Sequence, residues 1–172
     1  MVFTRLALPE VVLISATPRL DSRGFFAERF RASLFKLAGI PTSFPQENHS
    51  RSWTTVVRGL HYKPGLGKLV SVVNGCILDV AVDVRPASPT YGQHVSQYLM
   101  NPDQMLWIPP GFAHGFQVVK TADVIYRVTE EFDGQPELGY RWDSPDLGIE
   151  WITERALVSE RDRALPEWRR SE

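Results

Sequence analysis

The chain has 172 residues, of which 43% are hydrophobic and 23% are charged, a composition typical of one globular domain and not of a disordered chain. The 19 Lys and Arg residues nearly balance the 20 Asp and Glu residues, so the net charge of -1 gives no general attraction to nucleic acid or to an anionic membrane. No apolar run approaches the roughly 20 residues of a membrane-spanning helix, and the start of the chain lacks the pattern of a signal peptide. Cys76 is the only cysteine, which excludes an intrachain disulfide and a multi-cysteine zinc site and favours a cytoplasmic location.

The predicted elements are short. A strand at 11–16 is followed by a helix at 31–38, which Gly39 ends. The clearest strand is 77–84, where apolar residues alternate and predict one buried face. A run at 68–73 precedes it, and the intervening Asn74-Gly75 dipeptide predicts a two-residue hairpin turn that pairs the two runs antiparallel.

Further strands are predicted from runs rich in β-branched and aromatic residues at 56–61, 95–100, 104–108, 115–119 and 124–128. A second short helix is predicted from about residue 159, where Ser159 can cap it and Pro166 would interrupt it. Prolines and glycines separate these runs at intervals of about ten residues, a spacing typical of a β-sandwich or barrel. The sequence therefore predicts an all-β, two-sheet barrel with few helices.

Motifs for several enzyme classes are absent from the sequence. It contains no P-loop, no G-x-G-x-x-G fingerprint and no G-x-S-x-G elbow, which disfavours nucleotide triphosphate hydrolysis, a Rossmann cofactor and an α/β-hydrolase. Small double-sheet barrels include metal-binding cupins, which need clustered ligands. The histidines here are widely separated and form no H-x-H pair, so we expect catalysis without a metal; they are His49, His61, His94 and His114.

Residues 45–63 form the densest polar segment. Its amide, imidazole and cationic side chains suit phosphate and sugar hydroxyls, although a polar loop before an ordinary strand is an equal alternative. An ideal strand would place Arg58 and His61 on opposite faces, but Gly59 permits a bulge that would bring them together. The candidate binding groups are Gln46, Asn48, His49, Ser50, Arg51, Arg58, His61 and Lys63.

Two further segments combine turn residues with polar side chains. In W-I-P-P-G-F-A-H-G-F, residues 107–116, two glycines flank His114 and allow the backbone to approach a ligand closely; a structural histidine in a barrel turn is the alternative. In D-S-R-G-F-F-A-E-R-F, residues 21–30, Arg23 and Glu28 flank two phenylalanines, and the alternative is an Asp-initiated turn that enters a strand.

Read together, seven segments resemble the dTDP-4-dehydrorhamnose 3,5-epimerases, nucleotide-sugar epimerases of deoxysugar biosynthesis. The segments follow the family's order from residue 21 to residue 164: DSRGFFAERF, QENHSRS, VRGLHY, KLVSVVNGCILDVAVDVR, LWIPPGFAHGF, IYRVTEEF and SERDRA. The resemblance implies one jelly-roll, cupin-like domain over residues 1–172, with short peripheral helices and a helical tail from about residue 155. It also implies a homodimer that exchanges an N-terminal arm of about residues 1–30 and needs neither metal nor organic cofactor.

The resemblance assigns four catalytic roles. His61 would be the general base that removes protons next to the C4 ketone, a reaction suited to an imidazole with a pKa of ~6.5. Asp162 would orient His61; a charge in a helix's first turn is the simpler reading of that residue. Tyr126 would be the acid on the opposite face of the sugar, and Lys68 the cation beside the C4 oxygen; for Tyr126, a packed barrel aromatic is the alternative.

The resemblance also implies how the dTDP-linked substrate is held. Arg58 would hold the diphosphate or assist at the reacting centre, and the N-terminal arm would serve the partner's site. The remaining substrate-binding residues would be Gln46, Asn48 and His114, with Arg23, Phe26 and Glu28 supplied by the arm.

Four positions depart from the family's common pattern. Glu131 and Phe132 replace two adjacent tyrosines, Lys63 replaces a glutamine, and Ser71 stands where an arginine is frequent. The sequence therefore predicts a double epimerase that converts dTDP-4-dehydro-6-deoxy-D-glucose to dTDP-4-dehydro-L-rhamnose. A monofunctional 3- or 5-epimerase is the nearest alternative; a catalytically inactive nucleotide-sugar binding protein and a metal-dependent cupin enzyme are more distant ones.

Overall fold

Strands dominate the computed structural model, which describes residues 1–100, 102–153 and 155–170. Within these residues the helices are α1 (Ala32–Leu37), α2 (Glu160–Arg163) and a 3-10 turn at Pro145–Leu147. The strands are β1 (Val2–Arg5), β2 (Val12–Ser15), β3 (Arg19–Asp21), β4 (Gly24–Phe26), β5 (Gln46–Ser52), β6 (Val57–Tyr62), β7 (Lys68–Asp83), β8 (His94–Leu99), β9 (Gln104–Ile108), β10 (Phe112–Val128) and β11 (Leu138–Gly139).

Two long antiparallel strands, β7 and β10, organise the barrel. They pair from Phe112 opposite Asp83 to Val128 opposite Lys68. At one end their outer neighbours are β8 and β6, and at the other end they are β9 and β5. Because each long strand changes its neighbour midway, the two layers of the barrel share these strands, and the predicted jelly-roll, cupin-like fold is confirmed.

The predicted hairpin turn at Asn74-Gly75 is wrong. The chain runs through both residues within β7, and the register with β10 shifts on either side of them. Gly75 has φ +90°, and a Cβ there would lie 2.1 Å from the carbonyl oxygen of Thr121. The dipeptide therefore marks irregular pairing with β10, where only glycine fits, and no chain reversal occurs. The two strands predicted at 115–119 and 124–128 are likewise one strand, β10.

The half-buried pattern predicted for 77–84 is also wrong, because both faces of β7 are covered. Leu78, Val80 and Val82 pack under the C-terminal segment with Trp168, while Ala81 belongs to the cluster inside the barrel. Asp79 is fully buried on that inner face. The alternation of apolar residues therefore predicted the two faces of the strand correctly. It could not predict that one of them is buried by Trp168 and other residues far along the chain.

Other predicted elements agree better with the structure. The strands predicted at 11–16, 56–61, 95–100 and 104–108 are confirmed as β2, β6, β8 and β9. The helix predicted at 31–38 is confirmed as α1, whose Phe35 packs against the outside of one layer. In the part of the predicted helical tail that the structure describes, residues 155–170, helix is confined to α2. There the side chain of Ser159 accepts a bond from the Asp162 amide, as expected of a cap.

Only part of the expected N-terminal arm is separate from the barrel, because β1 and β2 join the barrel sheet beside β9. Strands β3 and β4 pair with each other and make up a sheet separate from the barrel. Asp21 accepts a bond from the amide of Arg23 at 2.8 Å, which is the predicted Asp-initiated turn. Leu20 is 80% exposed and Phe26 is 72% exposed, so the hairpin presents apolar side chains to solvent. Among the residues described, no helix is long and apolar enough to span a membrane.

Candidate active site

A cavity of about 910 Å³ opens on one side of the barrel. Its floor is formed by β5, β6 and β10, and its rim by residues 130–137 and 157–162. Both polar and apolar groups line it, as in most small-molecule sites. The predicted site residues that line the cavity are Gln46, Asn48, Ser50, Arg58, His61, Lys63, Lys68, His114, Tyr126 and Asp162.

A bulge in β6 decides which side chains reach the cavity. His61 pairs with His114 and Arg58 pairs with Phe116, so β6 holds one more residue than β10 over this span. Gly59 lies at the bulge with φ +131°, and a Cβ there would lie 2.5 Å from the Cα of Gly115. The bulge brings Arg58 and His61 to the same cavity, which resolves the two readings of that strand in favour of the bulge.

His61 and Asp162 form a close pair across 101 residues of chain. His61 Nε2 lies 2.7 Å from Asp162 Oδ1, and the side chain of Asp162 is only 6% exposed. The other carboxylate oxygen, Oδ2, accepts a bond from the Gly59 amide at 3.3 Å. The Ser159 cap fixes the backbone of Asp162 in the first turn of α2. Asp162 thus lies in the first turn of a helix and also faces His61, so the two readings of this residue are compatible.

Asp162 is an ionised carboxylate at neutral pH. Burial opposes its ionisation, but the hydrogen bond and charge of His61, the Gly59 amide and the charge of Arg161 together lower its pKa. Because an ionised carboxylate can only accept, Nε2 of His61 carries the proton. In a neutral imidazole the lone pair is then on Nδ1, the nitrogen that could act as a base.

Lys68 is a buried cation held by an acidic partner. Its Nζ donates to Glu137 Oε2 at 2.7 Å, and its side chain is 7% exposed. The carbonyl oxygen of His61 lies 3.5 Å from the same Nζ. Burial alone would raise the pKa of Glu137, but the charge and hydrogen bond of Lys68, with the nearby His61 and His114, lower it. A charged ammonium group is thus fixed beside the backbone of the candidate base.

Tyr126 lies on β10 opposite Asn48 of β5. Burial raises the pKa of its hydroxyl, and the negative charge of Glu137 adds to the effect, while Arg58 and Asn48 act in the opposite direction. The phenol is therefore neutral at physiological pH and can donate a proton. Tyr126 packs against the core cluster inside the barrel, as the alternative reading expects, and it also lines the cavity.

His114 pairs with a carboxylate that the sequence analysis did not identify. Its Nε2 lies 2.9 Å from Oδ2 and 3.1 Å from Oδ1 of Asp79, and Asp79 is fully buried. Burial raises the pKa of Asp79, against the opposing effects of His114 and Lys68. By strand register His114 is the neighbour of His61, whereas Gln46 and Asn48 of β5 lie opposite Val128 and Tyr126 near the other end of β10.

The groups assigned to the nucleotide end are joined by hydrogen bonds. Gln46 donates to Asn48 Oδ1 at 2.9 Å and accepts from the amide of Phe132 at 2.7 Å. Arg58 donates through Nε to Ser52 Oγ at 2.9 Å. Ser52 is buried and thereby fixes the guanidinium of Arg58 at the edge of the cavity. The polar segment at 46–52 is a strand, because its backbone is hydrogen-bonded to β10. The alternative prediction of a polar loop at these residues is wrong.

The arm residues lie away from this chain's cavity. Arg23, Phe26 and Glu28 are exposed, and none of them is among the residues that line the cavity. Arg23 pairs with Asp21 at 2.6 Å, and Glu28 pairs with Arg31 at 2.7 Å. The structure therefore does not bring these three residues to the remaining candidate site residues within one chain.

Sequence reasoning missed three charged residues at or below the cavity. Glu137 follows a run of loop residues, Arg161 directly precedes Asp162, and Asp79 is one of several acidic residues in a strand. Arg161 donates to the carbonyl oxygen of Glu137 at 3.0 Å, which connects the rim segments. Of the three, only Arg161 could have been found from the sequence, because it is adjacent to the predicted site residue Asp162. Within residues 1–100, 102–153 and 155–170, no group of three or more His, Cys, Asp or Glu residues is arranged to hold a metal ion.

Comparison with known proteins identifies relatives over almost the whole chain. The family model described as dTDP-4-dehydrorhamnose 3,5-epimerase matches residues 5–170. A protein of that description from Pseudomonas aeruginosa is 44% identical over 166 residues, covering 93% of this chain and 92% of the relative.

Solved structures give the same result. The dTDP-6-deoxy-D-glucose-3,5-epimerase of Legionella pneumophila, in complex with dTDP-4-keto-L-rhamnose, is 38% identical, with a TM-score of 0.89 over 98% of both chains. A 3′-monoepimerase from Streptomyces bikiniensis, in complex with dTDP-quinovose, is 29% identical, with a TM-score of 0.87 over 94% of this chain and 85% of its own. The similar structures thus include both double and single epimerases.

Proposed function

Because this chain belongs to the dTDP-4-dehydrorhamnose 3,5-epimerase family, and is thus an isomerase acting on a nucleotide sugar, we propose that it inverts C3 and C5 of dTDP-4-dehydro-6-deoxy-D-glucose. The product is dTDP-4-dehydro-L-rhamnose. The observation that carries the proposal is the pair formed by His61 and Asp162, 2.7 Å apart, in one cavity with Lys68 and Tyr126.

The first step is proton removal by His61. Asp162 accepts from Nε2 and leaves the lone pair on Nδ1, which takes the proton from the carbon next to the C4 ketone. The imidazole becomes an imidazolium ion, and the adjacent carboxylate stabilises that positive charge as it develops. The electron pair of the broken C–H bond passes into the ring and gives an enolate whose charge resides on the C4 oxygen.

The enolate is stabilised by Lys68. Its ammonium group is already buried and fixed by Glu137, so little reorganisation is needed when negative charge develops on the C4 oxygen. In the ground state, the carboxylate of Glu137 partly neutralises the charge of Lys68, so the ketone oxygen is attracted only weakly. An enolate oxygen competes with that carboxylate better than a ketone does, because it carries the greater charge.

Inversion requires a new proton on the other face of the ring. Tyr126 supplies it, since burial and the charge of Glu137 raise its pKa and keep the hydroxyl protonated. Tyr126 lies on β10 opposite β5, whereas His61 lies on β6, so the base and the acid come from different parts of the cavity wall. Water then takes the proton from His61 and returns one to Tyr126, and repeating the sequence at the second carbon gives the double epimerisation.

The nucleotide end uses Arg58, Gln46 and Asn48 from the same chain. Arg58 has its Nε bound to Ser52, which leaves its two terminal nitrogens to meet a diphosphate in bidentate fashion. His114 completes the wall beside His61. The separate β3–β4 hairpin, with its exposed apolar side chains, supports a homodimer in which Arg23, Phe26 and Glu28 reach the partner's cavity.

Mixing two defective variants tests the arm exchange. A His61→Ala variant lacks the base, and an Arg23→Ala variant lacks an arm contact. Each mixed dimer would contain one intact site, so refolding equal amounts together restores about one quarter of the wild-type activity. If the mixture is no more active than the mean of its parents, the arm serves its own chain and the exchange is refuted.

The second candidate is a monofunctional epimerase, and one observation favours it. Glu131 and Phe132, which replace the common tyrosines, line the cavity. Proton NMR of the substrate with the enzyme in deuterated water separates the two functions. Deuterium at both C3 and C5, with an L-configured product after reductive trapping, supports the double epimerase. Deuterium at one carbon only supports the monofunctional enzyme, and no exchange at either carbon contradicts both.

A further inference from the structure

One side of the cavity is a loop, residues 130–137, here called the strap. All eight of its residues line the cavity. It joins the end of β10 to β11, and β11 pairs with β6 next to His61. The strap therefore leads from the strand of Tyr126 to the short strand that pairs beside His61.

The strap is tied at both ends and at its middle. At its start, Thr129 and Gly67 exchange two bonds, from Gly67 N to Thr129 Oγ1 at 2.9 Å and from Thr129 N to Gly67 O at 3.1 Å. At its end, Glu137 accepts from Lys68 at 2.7 Å. At its middle, the amide of Phe132 donates to Gln46 at 2.7 Å.

A further middle tie comes from Lys63. Its Nζ lies 2.7 Å from Asp133 Oδ2 and 3.5 Å from Glu130 Oε2. The other oxygen of Asp133 accepts from the amide of Gln135 at 3.0 Å, so this carboxylate also shapes the turn of the strap. Lys63 follows His61 by two residues along the chain, and it is one of the positions at which the sequence departs from the family's common pattern.

A bound substrate would displace some of the hydrogen bonds that hold the strap and leave others in place. Lys68 and Gln46 are groups that the substrate itself engages in the proposed function, so binding competes with the bonds that hold Glu137 and Phe132. The bond from Lys63 to Asp133 involves no group that the proposed function assigns to the substrate. It therefore persists when the ties from Lys68 and Gln46 are exchanged for substrate contacts, as do the bond from Arg161 to the carbonyl oxygen of Glu137 and the bonds between Gly67 and Thr129. Of these three, it is the one that holds the middle of the strap.

We propose that Lys63 is a positioning residue that holds the strap against the occupied cavity through Asp133. The inference rests on the proposed function, because it assigns Lys68 and Gln46 to the substrate. Lys63 keeps Glu131 and Phe132 at the cavity wall while the substrate displaces the other strap contacts. Loss of this tie raises KM, because the strap must then be ordered at the moment of binding, and leaves the proton-transfer groups in place.

The test combines kinetics with hydrogen exchange on the full chain. The variants are Lys63→Met, Asp133→Asn, their double mutant and Lys63→Arg, which retains the charge. Lys36→Met is the control, since Lys36 lies exposed on α1 outside the cavity and its loss changes net charge equally. Exchange of amides in residues 129–139 is measured by mass spectrometry without substrate, so this readout does not depend on turnover.

We expect Lys63→Met to raise KM about threefold to fivefold with kcat changed by less than about twofold. Strap amides should exchange about threefold to fivefold faster in Lys63→Met and Asp133→Asn, and no faster still in the double mutant. Lys63→Arg and Lys36→Met should behave as wild type. The difference in KM should shrink as salt is raised, because the pair is partly exposed.

Three results would overturn the inference. A higher KM with unchanged strap exchange would mean that Lys63 contacts the substrate directly. Additive effects in the double mutant would mean that Lys63 and Asp133 do not act together. Unchanged KM and exchange would mean that the pair contributes nothing. If the wild type itself fails to turn over the substrate, the proposed function is refuted, while strap exchange still decides the role of Lys63.

Discussion

Replacing Asp162 by asparagine changes the charge beside His61 with almost no change in shape. Asp162 offers one oxygen to His61 at 2.7 Å and the other to the amide of Gly59 at 3.3 Å. An asparagine has only one oxygen for these two donors. Its amino group must face either the Gly59 amide, as donor against donor, or His61, where it forces the imidazole proton onto Nδ1.

Both orientations of the new side chain impair the base. In the first, the imidazolium ion loses its neighbouring negative charge; in the second, the nitrogen that should accept the substrate proton already carries one. A hydrogen bond to a charged group contributes about 1.5–3 kcal/mol. If that much stabilisation is lost in the transition state only, kcat falls by about 10-fold to 150-fold. KM should change little, because Asp162 acts through His61.

The assay is deuterium incorporation at C3 and C5 of the substrate, followed by NMR. Asp143→Asn is the matched control, since Asp143 pairs with Arg141 at 2.7 Å and does not line the cavity. The Ser159 cap uses the backbone of Asp162, so helix α2 should survive the substitution. A variant whose kcat stays within about twofold of wild type would refute the assignment of Asp162 as the partner of the base.

Three further predictions concern single residues. Tyr126→Phe should lower product formation at least about 100-fold while exchange through His61 continues, because only the opposite-face donor is lost; NMR distinguishes the two. Gly59→Ala should cost about 3 kcal/mol or more in urea unfolding, because φ is +131° and Gly115 leaves no room for a Cβ. Asp123→Asn should lower the urea midpoint at neutral pH, because the hydrogen bond from Arg51 lowers the pKa of Asp123 to about 2.

Each of these has a result that contradicts it. Equal loss of exchange and product in the Tyr126 variant would remove its role as a separate acid. Gly134→Ala is the control for backbone strain alone, because Gly134 has φ +84° but open space around it. Equal losses in the free energy of unfolding at Gly59 and Gly134 would show that contact with Gly115 does not matter. For Asp123, whose pKa is lowered on folding, the stabilisation is present above its ordinary value of 3.8 and is lost as the pH falls through about 2. A difference between the Asp123 variant and wild type that persists below that pH would contradict this sign.

Local sequence predicted the fold well where a signal is local. Runs rich in β-branched and aromatic residues correctly predicted the strands at 56–61 and 104–108, and Ser159 correctly predicted a helix cap. The Asn74-Gly75 dipeptide gave a wrong prediction because the same two residues favour both a hairpin turn and a β-bulge. Only the pairing of β7 with β10 decides between these two structures.

The site depends on contacts that no local pattern contains. His61 and Asp162 are 101 residues apart, and composition and spacing alone would not have paired them. Resemblance to a family supplied that pair, but it did not supply the partners that fix the cations, Glu137 for Lys68 and Asp133 for Lys63. Those partners lie in a loop, where charged residues are ordinarily solvated and sequence gives no reason to single them out.

A comparison of wild type with a His61→Ala variant decides whether His61 is the base for both carbons. Wild type and His61→Ala are incubated with dTDP-4-dehydro-6-deoxy-D-glucose in deuterated water, and binding of dTDP to each is measured by calorimetry. We expect the variant to lose exchange at both C3 and C5 and to bind dTDP within about twofold of wild type. Exchange at either carbon at the wild-type rate in the variant would contradict it.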